Sequence, residues 1–291
     1  MSVLEVKGLT KSYKKGFIPK SVQVLHGVDF SLKTGAITGF LGGNGAGKTT
    51  TLKCLLGLAF PDAGSVSYFG QTFLSREVKK RIGFLPERPY FYEHLTGEEF
   101  LQFYGQLSFR IKKQDLNEKI EKLLKRVDLL HARDRKLRNY SKGMLQKIGV
   151  AQALIHDPEL VILDEPMSGL DPDGRFYLSE IIRETAREGR TVFFSSHLLN
   201  DAEKLCDRLV IMKAGKVTYE GRTEDFLQKM GEAAIITYVQ GETKQTCRVA
   251  NQADLQKKLT ELLAAKNTIL DVKQDRNLED AFIRMGLRGD P

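Results

Sequence analysis

The feature that most constrains this chain is an eight-residue run, Gly42-Gly43-Asn44-Gly45-Ala46-Gly47-Lys48-Thr49. It lies between an apolar strand-like segment, AITGFL, and TTLKCLLGLAF, whose leucines fall at near-helical spacing. The run meets G-x-x-x-x-G-K-[ST] at every required position. Its residue types suit one task. Glycines let the backbone bend until successive N–H groups point inward as an anion nest. A helix opening near Gly47 would turn its positive end on the same point. Lys48 would reach the β- and γ-phosphates of a nucleotide, and the Thr49 hydroxyl, followed by Thr50, would ligate Mg²⁺. The competing reading is a glycine-rich turn that binds nothing. The strand before the run and the helix after it weigh against that.

A second pattern points to the same chemistry. Leu160-Val161-Ile162-Leu163 is apolar throughout and ends in Asp164-Glu165. A buried parallel strand delivers its C-terminal end to the ligand edge of an open α/β sheet. There Asp164 would hold the metal, directly or through water, and Glu165 would orient or deprotonate an attacking water. The alternative is a helix-capping acid before Pro166 and a surface glutamate.

These segments set the fold class. Apolar runs at Leu160–Leu163, Thr191–Phe194 and Arg208–Met212, with a helix from Arg175 to about Glu188 between the first two, imply a mainly parallel sheet covered on both faces. The first 80 residues read as strands (VLEV, QVLHGVDFSL, AITGFL, VSYFG) around one helix carrying Leu52, Leu55, Leu56 and Leu58, with a turn at Pro61-Asp62-Ala63-Gly64. From Thr96 to about His156 the pattern is helical. Thr96-Gly97-Glu98-Glu99 has the form of a capping box. Leu116, Ile120, Leu123, Leu124 and Val127 make one stripe, and a third helix starts near Ser141. After a boundary near Gly221 come short strands at 233–240 and 244–250, a helix over Asp254–Leu263, a strand over Thr268–Val272 and a last helix over Asn277–Met285.

Composition enters mainly as exclusion. In 291 residues no apolar stretch approaches the ~18 needed to span a bilayer. The N-terminus has no secretory h-region. Three cysteines without CxxC spacing favour neither a disulfide framework nor a zinc site, and the expected compartment is the reducing cytosol. The net charge of +8 is unevenly spread. Residues 222–291 are neutral, whereas 110–142 hold 12 Lys+Arg against 5 Asp+Glu. A solvated helical face, an anionic membrane leaflet, a partner subunit and a nucleic acid all remain open as explanations.

Over residues 3 to about 221 the chain resembles the nucleotide-binding subunits of ATP-binding cassette (ABC) transporters, in their exporter-like, drug- and gliding-type branch. The resemblance rests on the phosphate-loop run, LVILDE, Ser168-Gly169-Leu170-Asp171, His197 after TVFFSS, and Tyr140-Ser141-Lys142-Gly143-Met144 in the place of the usual LSGGQ. It implies an α/β P-loop ATPase core with an antiparallel β subdomain and a helical subdomain over about 87–157, within an ATPase domain 1–221. Residues 222–291 would form a small accessory α+β domain, either a packing appendage or a dimerisation or regulatory module. Tyr13 would stack on adenine. His197 would contact the γ-phosphate, and Asp171 would link two sites across a dimer. Ser141 and Gly143 would close over the ATP of the other subunit. Glu87 stands where the family commonly has Gln, near the metal, and a cytoplasmic helix of the membrane subunit would dock beside it.

The resemblance thus implies an ATP hydrolase with Lys48, Glu165 and His197 in catalysis, and ATP and Mg²⁺ as cofactors. Its partners would be a second copy or a homologous subunit and a separate membrane permease chain. It implies a place on the cytoplasmic face of the membrane and no nucleic-acid partner. The rival is a soluble ABC ATPase acting on ribosomes or DNA. Lys48 and Ser141 are only 93 residues apart, too close for the long coiled coil of the DNA-maintenance class. A third reading, a regulator without turnover, sits poorly with the presence of both Glu165 and His197.

Overall fold

The computed structural model describes residues 1–15, 20–108, 113–228, 234–241, 243–274 and 277–284. It divides into two compact units, 1–220 and 221–290.

The first unit opens with two long strands, β1 (Ser2–Lys15) and β2 (Lys20–Lys33), followed by the short buried strand β3 (Ile37–Leu41). Helix α1 (Lys48–Leu55) follows the glycine run, and the chain returns through β4 (Ala63–Tyr68), α2 (Arg76–Lys80) and β5 (Ile82–Leu85). Three helices come next: α3 (Gly97–Ser108), α4 (Lys113–Arg126) and α5 (Lys142–Leu154). The unit then alternates β6 (Leu160–Leu163), α6 (Pro172–Arg187), β7 (Thr191–Ser196), α7 (Leu199–Leu205), β8 (Arg208–Lys213) and β9 (Lys216–Arg222).

Two sheets result. β2-β1-β4 is antiparallel, and the six-stranded sheet runs β5-β6-β7-β3-β8-β9. Its β5–β6, β6–β7, β7–β3 and β3–β8 pairs are parallel. All residues of β3, β6 and β7 are buried, as apolar parallel strands covered on both faces require. The rings of Phe30 on β2, Phe40 on β3 and Phe193 on β7 meet with centroids 5.1–5.7 Å apart, fastening the antiparallel sheet to the parallel one. The sheet so clamped carries β3, β6 and β7 to a common C-terminal edge, where residues 42–49, 164–165 and 197 follow.

Local rules explain most boundaries. Thr96 and Glu99 form the expected capping box: the Thr96 N–H donates to Glu99 Oε2 (2.8 Å) and the Glu99 N–H to Thr96 Oγ1 (3.2 Å). The stripe of Leu116, Ile120, Leu123, Leu124 and Val127 is buried, Val127 one residue beyond α4. Three details differ from the sequence reading. Helix α1 stops at Leu55, because Gly57 turns left-handed (φ 67°), and Leu58 is 66% exposed rather than on the helix face. Ala63 and Gly64 already belong to β4 and not to a turn. Helix α6 begins at Pro172, three residues earlier than expected, since Asp171 caps it through the Gly174 N–H (2.9 Å).

The second unit is a three-stranded antiparallel sheet, β11-β10-β12, built from β10 (Ala234–Gln240), β11 (Thr243–Val249) and β12 (Thr268–Gln274). It also holds α8 (Thr223–Gln228), α9 (Gln252–Ala264) and α10 (Leu278–Arg284). Leu262 of α9 packs with Ala234, Ile236, Tyr238 and Val249. Residue 233 and Met285, expected at the ends of a strand and a helix, lie outside the described residues.

Gly83 shows how tightly the layers fit. A Cβ there would run into the Ala153 carbonyl at the end of α5 and come within 2.9 Å of Pro158 Cγ. Gly83→Ala is expected to destabilise the protein by about 1–3 kcal/mol through overpacking. An unchanged denaturant midpoint would contradict this packing.

Candidate active site

The glycine run forms the wall of a pocket of about 350 Å³ lined by residues 43–50 together with Val24, Glu87, Glu165, Ser168 and His197. Two glycines are there by necessity. Gly47 precedes α1 at φ 105°, a left-handed conformation closed to most side chains. A Cβ on Gly42 would sit 2.6 Å from the Met212 carbonyl oxygen on β8. The loop is thereby pressed onto the sheet edge with α1 pointing its N-terminus into the pocket.

Lys48 is the first residue of α1, and only 7% of it is exposed. Its Nζ donates to the Gly42 carbonyl (2.7 Å) and lies 3.7 Å from Glu165 Oε1. Burial pushes the Lys48 ammonium below its ordinary pKa, while Glu165, Asp164 and Glu87 pull it back up. Glu165 links Lys48 to His197: its other oxygen, Oε2, is 2.7 Å from His197 Nδ1. Its backbone is left-handed (φ 49°), rare for a non-glycine residue and costly outside a site that fixes it.

Asp164 stands behind Glu165 and is 4% exposed. Burial drives its carboxyl above the ordinary aspartate value; Glu165 and Glu87 add to the rise, and the Ser195 hydroxyl and Lys48 oppose it. Ser195 is the residue that sequence reasoning missed. It lies at the end of β7, beside β6, whose Leu163 pairs with Phe194. Its Oγ donates to Asp164 Oδ1 (2.6 Å) and accepts from the Glu165 N–H (2.8 Å). The signal was available, since TVFF and LVIL run parallel and put Ser195 level with the first carboxylate. Ser168 and Val24 also line the pocket without having been singled out as ligands.

The remaining sequence-derived residues are not gathered into this pocket. Tyr13 is on β1, 39% exposed, opposite Val22 of β2, two residues from the lining residue Val24, with Lys11 Nζ 5.3 Å from its ring centroid. Ser141 caps α5 by accepting from the Met144 N–H (3.3 Å), and Gly143 lies in the first turn of that helix. Asp171 caps α6. Thus Gly43, Asn44, Gly45, Ala46, Gly47, Lys48, Thr49, Thr50, Glu87, Glu165 and His197 come together in one pocket. Gly42 and Asp164 support it from behind, and Tyr13, Ser141, Gly143 and Asp171 stand apart.

A parallel sheet whose strand ends bring a phosphate loop, an acidic pair and a histidine to one pocket defines a nucleotide triphosphatase of the P-loop class. The comparisons with known proteins narrow the class. The family model for ABC transporters matches residues 25–168. An uncharacterized ABC transporter ATP-binding protein of Nostoc sp. (strain PCC 7120) is 45% identical over 229 residues, covering 78% of this chain and 68% of that one. The Nod factor export ATP-binding protein I of Burkholderia orbicola is 33% identical over 284 residues, covering 90% and 91% of the two chains. A solved ATP-binding subunit of an ABC transporter is 30% identical, with a TM-score of 0.69 over 90% of this chain and all of that one. The chain belongs to the ATP-binding subunits of ABC transporters, which are ATPases. Among the described residues, no helix is long and apolar enough to cross a membrane.

Two outcomes follow from the site. Ser195→Ala leaves a buried carboxylate and an amide without their shared partner and is expected to cost about 1–3 kcal/mol; an unaltered midpoint on denaturant titration would refute the role. For Lys48, the unfolded chain binds the proton more tightly, so its contribution to stability rises as pH climbs from the lowered value to the ordinary 10.5. Metal-free ATP adds negative charge beside Lys48 and should raise its pKa. Calorimetry at alkaline pH in buffers of different ionisation heat should record proton uptake on binding, absent in Lys48→Met.

Proposed function

We propose that this chain hydrolyses Mg-ATP as one of two paired subunits and thereby drives a separate integral membrane permease, in the direction of export. The observation that carries the hydrolytic reading is the placement of Glu165. Its carboxylate, on the pocket lining, stands between the buried Lys48 ammonium and the His197 imidazole. A water in line with a γ-phosphate held by the loop N–H groups would meet Glu165 as general base or orienting group. Lys48, released from the Gly42 carbonyl, would neutralise β- and γ-phosphate charge, and His197 would contact the γ-phosphate from the β7 side. Glu165 held by His197 keeps its proton acceptor aimed into the pocket before nucleotide arrives.

The donors near the phosphate position are hard oxygens: the Thr49 hydroxyl, Asp164 and Glu87. These fit Mg²⁺, which takes one or two carboxylates and completes its shell with water and phosphate oxygens. When bound, the ion would withdraw charge from the phosphates. The chain's own part is to keep Asp164 oriented through Ser195.

The separation of Ser141, Gly143 and Asp171 from the pocket supports pairing. Ser141 and Gly143 at the start of α5 suit a γ-phosphate but cannot serve their own chain's pocket as it stands, so the second copy, or a homologous subunit, would supply its nucleotide. Asp171 would sit between the two sites. Tyr13, on the strand beside Val22, would offer its exposed ring to adenine. Export is the reading favoured by the Nod factor relative's role. The exposed Tyr90 and Tyr92, a few residues after Glu87, suit a docking helix of the permease at the cytoplasmic face of the membrane. The rival action on ribosomes or DNA is not favoured, because the relatives are transporter subunits.

Glu165→Gln is expected to bind ATP, lower the hydrolysis rate by about 10²–10⁴-fold and accumulate a nucleotide-dependent dimer on gel filtration. It should co-purify with a multi-spanning protein from native membranes. Ser141→Ala should bind ATP and stay monomeric. Dimerisation of that variant with normal turnover would rule out the paired site.

A further inference from the structure

The charge excess noted in residues 110–142 is not a uniformly solvated face. In α4 and just beyond it the cations are largely answered by acids: Lys119 meets Asp157, Lys125 meets Glu121 (2.6 Å), Arg126 meets Glu188 (2.8 Å) and Arg133 meets Glu98. Pairing then stops. Arg135, Lys136 and Arg138, in the loop between α4 and α5, are exposed and have no acidic partner among the described residues. The neighbouring acid, Asp134, is 87% exposed and faces Arg133 at 3.8 Å.

The loop is held firmly. Leu137 is 1% exposed and anchors it, the Tyr140 hydroxyl donates to the Ala132 carbonyl (2.9 Å), and the Leu137 and Arg138 N–H groups donate to the Leu95 (2.9 Å) and Glu93 (3.2 Å) carbonyls. Those bonds set the three cations beside the segment carrying exposed Tyr90 and Tyr92. Three unpaired cations in four residues, on a fixed loop, match a polyanionic surface.

We propose that the Arg135–Arg138 loop is a contact for anionic phospholipid headgroups, holding the subunit against the membrane independently of its protein partner. The proposal rests on the reading that the chain works at a membrane, and it goes beyond the docking of a permease. Three exposed cationic side chains near an anionic leaflet each add a similar increment, and removing all three should weaken binding by roughly a hundredfold. Because the attraction is between exposed charges, it should fade as salt shortens the screening length.

The test is co-sedimentation of the full-length protein with large unilamellar vesicles of phosphatidylglycerol and phosphatidylcholine, or of phosphatidylcholine alone. Wild type should bind the anionic vesicles at low salt and be released by high salt. The triple variant Arg135→Gln, Lys136→Gln, Arg138→Gln should lose that binding while keeping its ATPase rate and thermal midpoint. A control that removes equal charge elsewhere (Lys244, Lys257 and Lys266→Gln) should bind like wild type. Equal loss in both variants, or no loss in the triple variant, overturns the proposal. So does wild type that ignores vesicles but binds single-stranded RNA or DNA through these residues. Vesicle binding needs no permease. If the loop variant still captures the permease, the transport reading stands whatever the vesicles show, and if wild type binds vesicles but captures no permease, only that reading falls.

Discussion

Three carboxylates converge on one buried ammonium, and the rest of the first unit is arranged around that cluster. Lys48 and Asp164 are each nearly inaccessible to solvent. Removing such groups from water costs far more than an ordinary ion pair returns, unless several polar partners share the load. Here the partners are backbone carbonyls of the phosphate loop for Lys48, and the Ser195 hydroxyl for Asp164. The opposed pKa directions of the two groups record the same tension, with burial disfavouring charge on both. A triphosphate set beside Lys48 would favour its charged form.

The geometry that permits this cluster is a matter of sheet order. β3 lies between β7 and β8, and β6 on the far side of β7, so that the loop after β3, the acids after β6 and the histidine after β7 share one edge. The fit is backed by close approaches, Gly42 against the Met212 carbonyl and Gly83 against the end of α5. No single segment holds the site. Moving one strand by a residue would turn Asp164 or Ser195 to the opposite face.

Much of this was legible in the sequence, for physical reasons. The parallel strands are apolar at every position, and the phosphate loop combines spacing, glycines and charge in a way few other structures require. The capping box at Thr96 and the stripe on α4 follow rules that act within a few residues. Less legible was whatever depends on two distant segments meeting. Ser195 is an ordinary serine until β6 and β7 lie side by side. Asp171 also caps α6, a local role that its motif did not announce and that set that helix's beginning three residues earlier. Leu58 kept the helical spacing of α1, but Gly57 ended the helix first. The charge excess in residues 110–142 could not be apportioned by counting, because the acids that neutralise it, such as Glu98 and Glu188, come from outside that stretch.

The central position of β3 has a consequence for how the chain is made. β3 leaves the ribosome early, as five buried residues, yet both strands that flank it come from residues 191–213. For some 150 residues of synthesis its two hydrogen-bonding edges have no native neighbours. Pairings this distant in sequence also close slowly. The nascent chain thus carries unpaired β-forming edges through about half of its elongation. The nucleotide pocket is likewise incomplete until His197, just after β7, has been made.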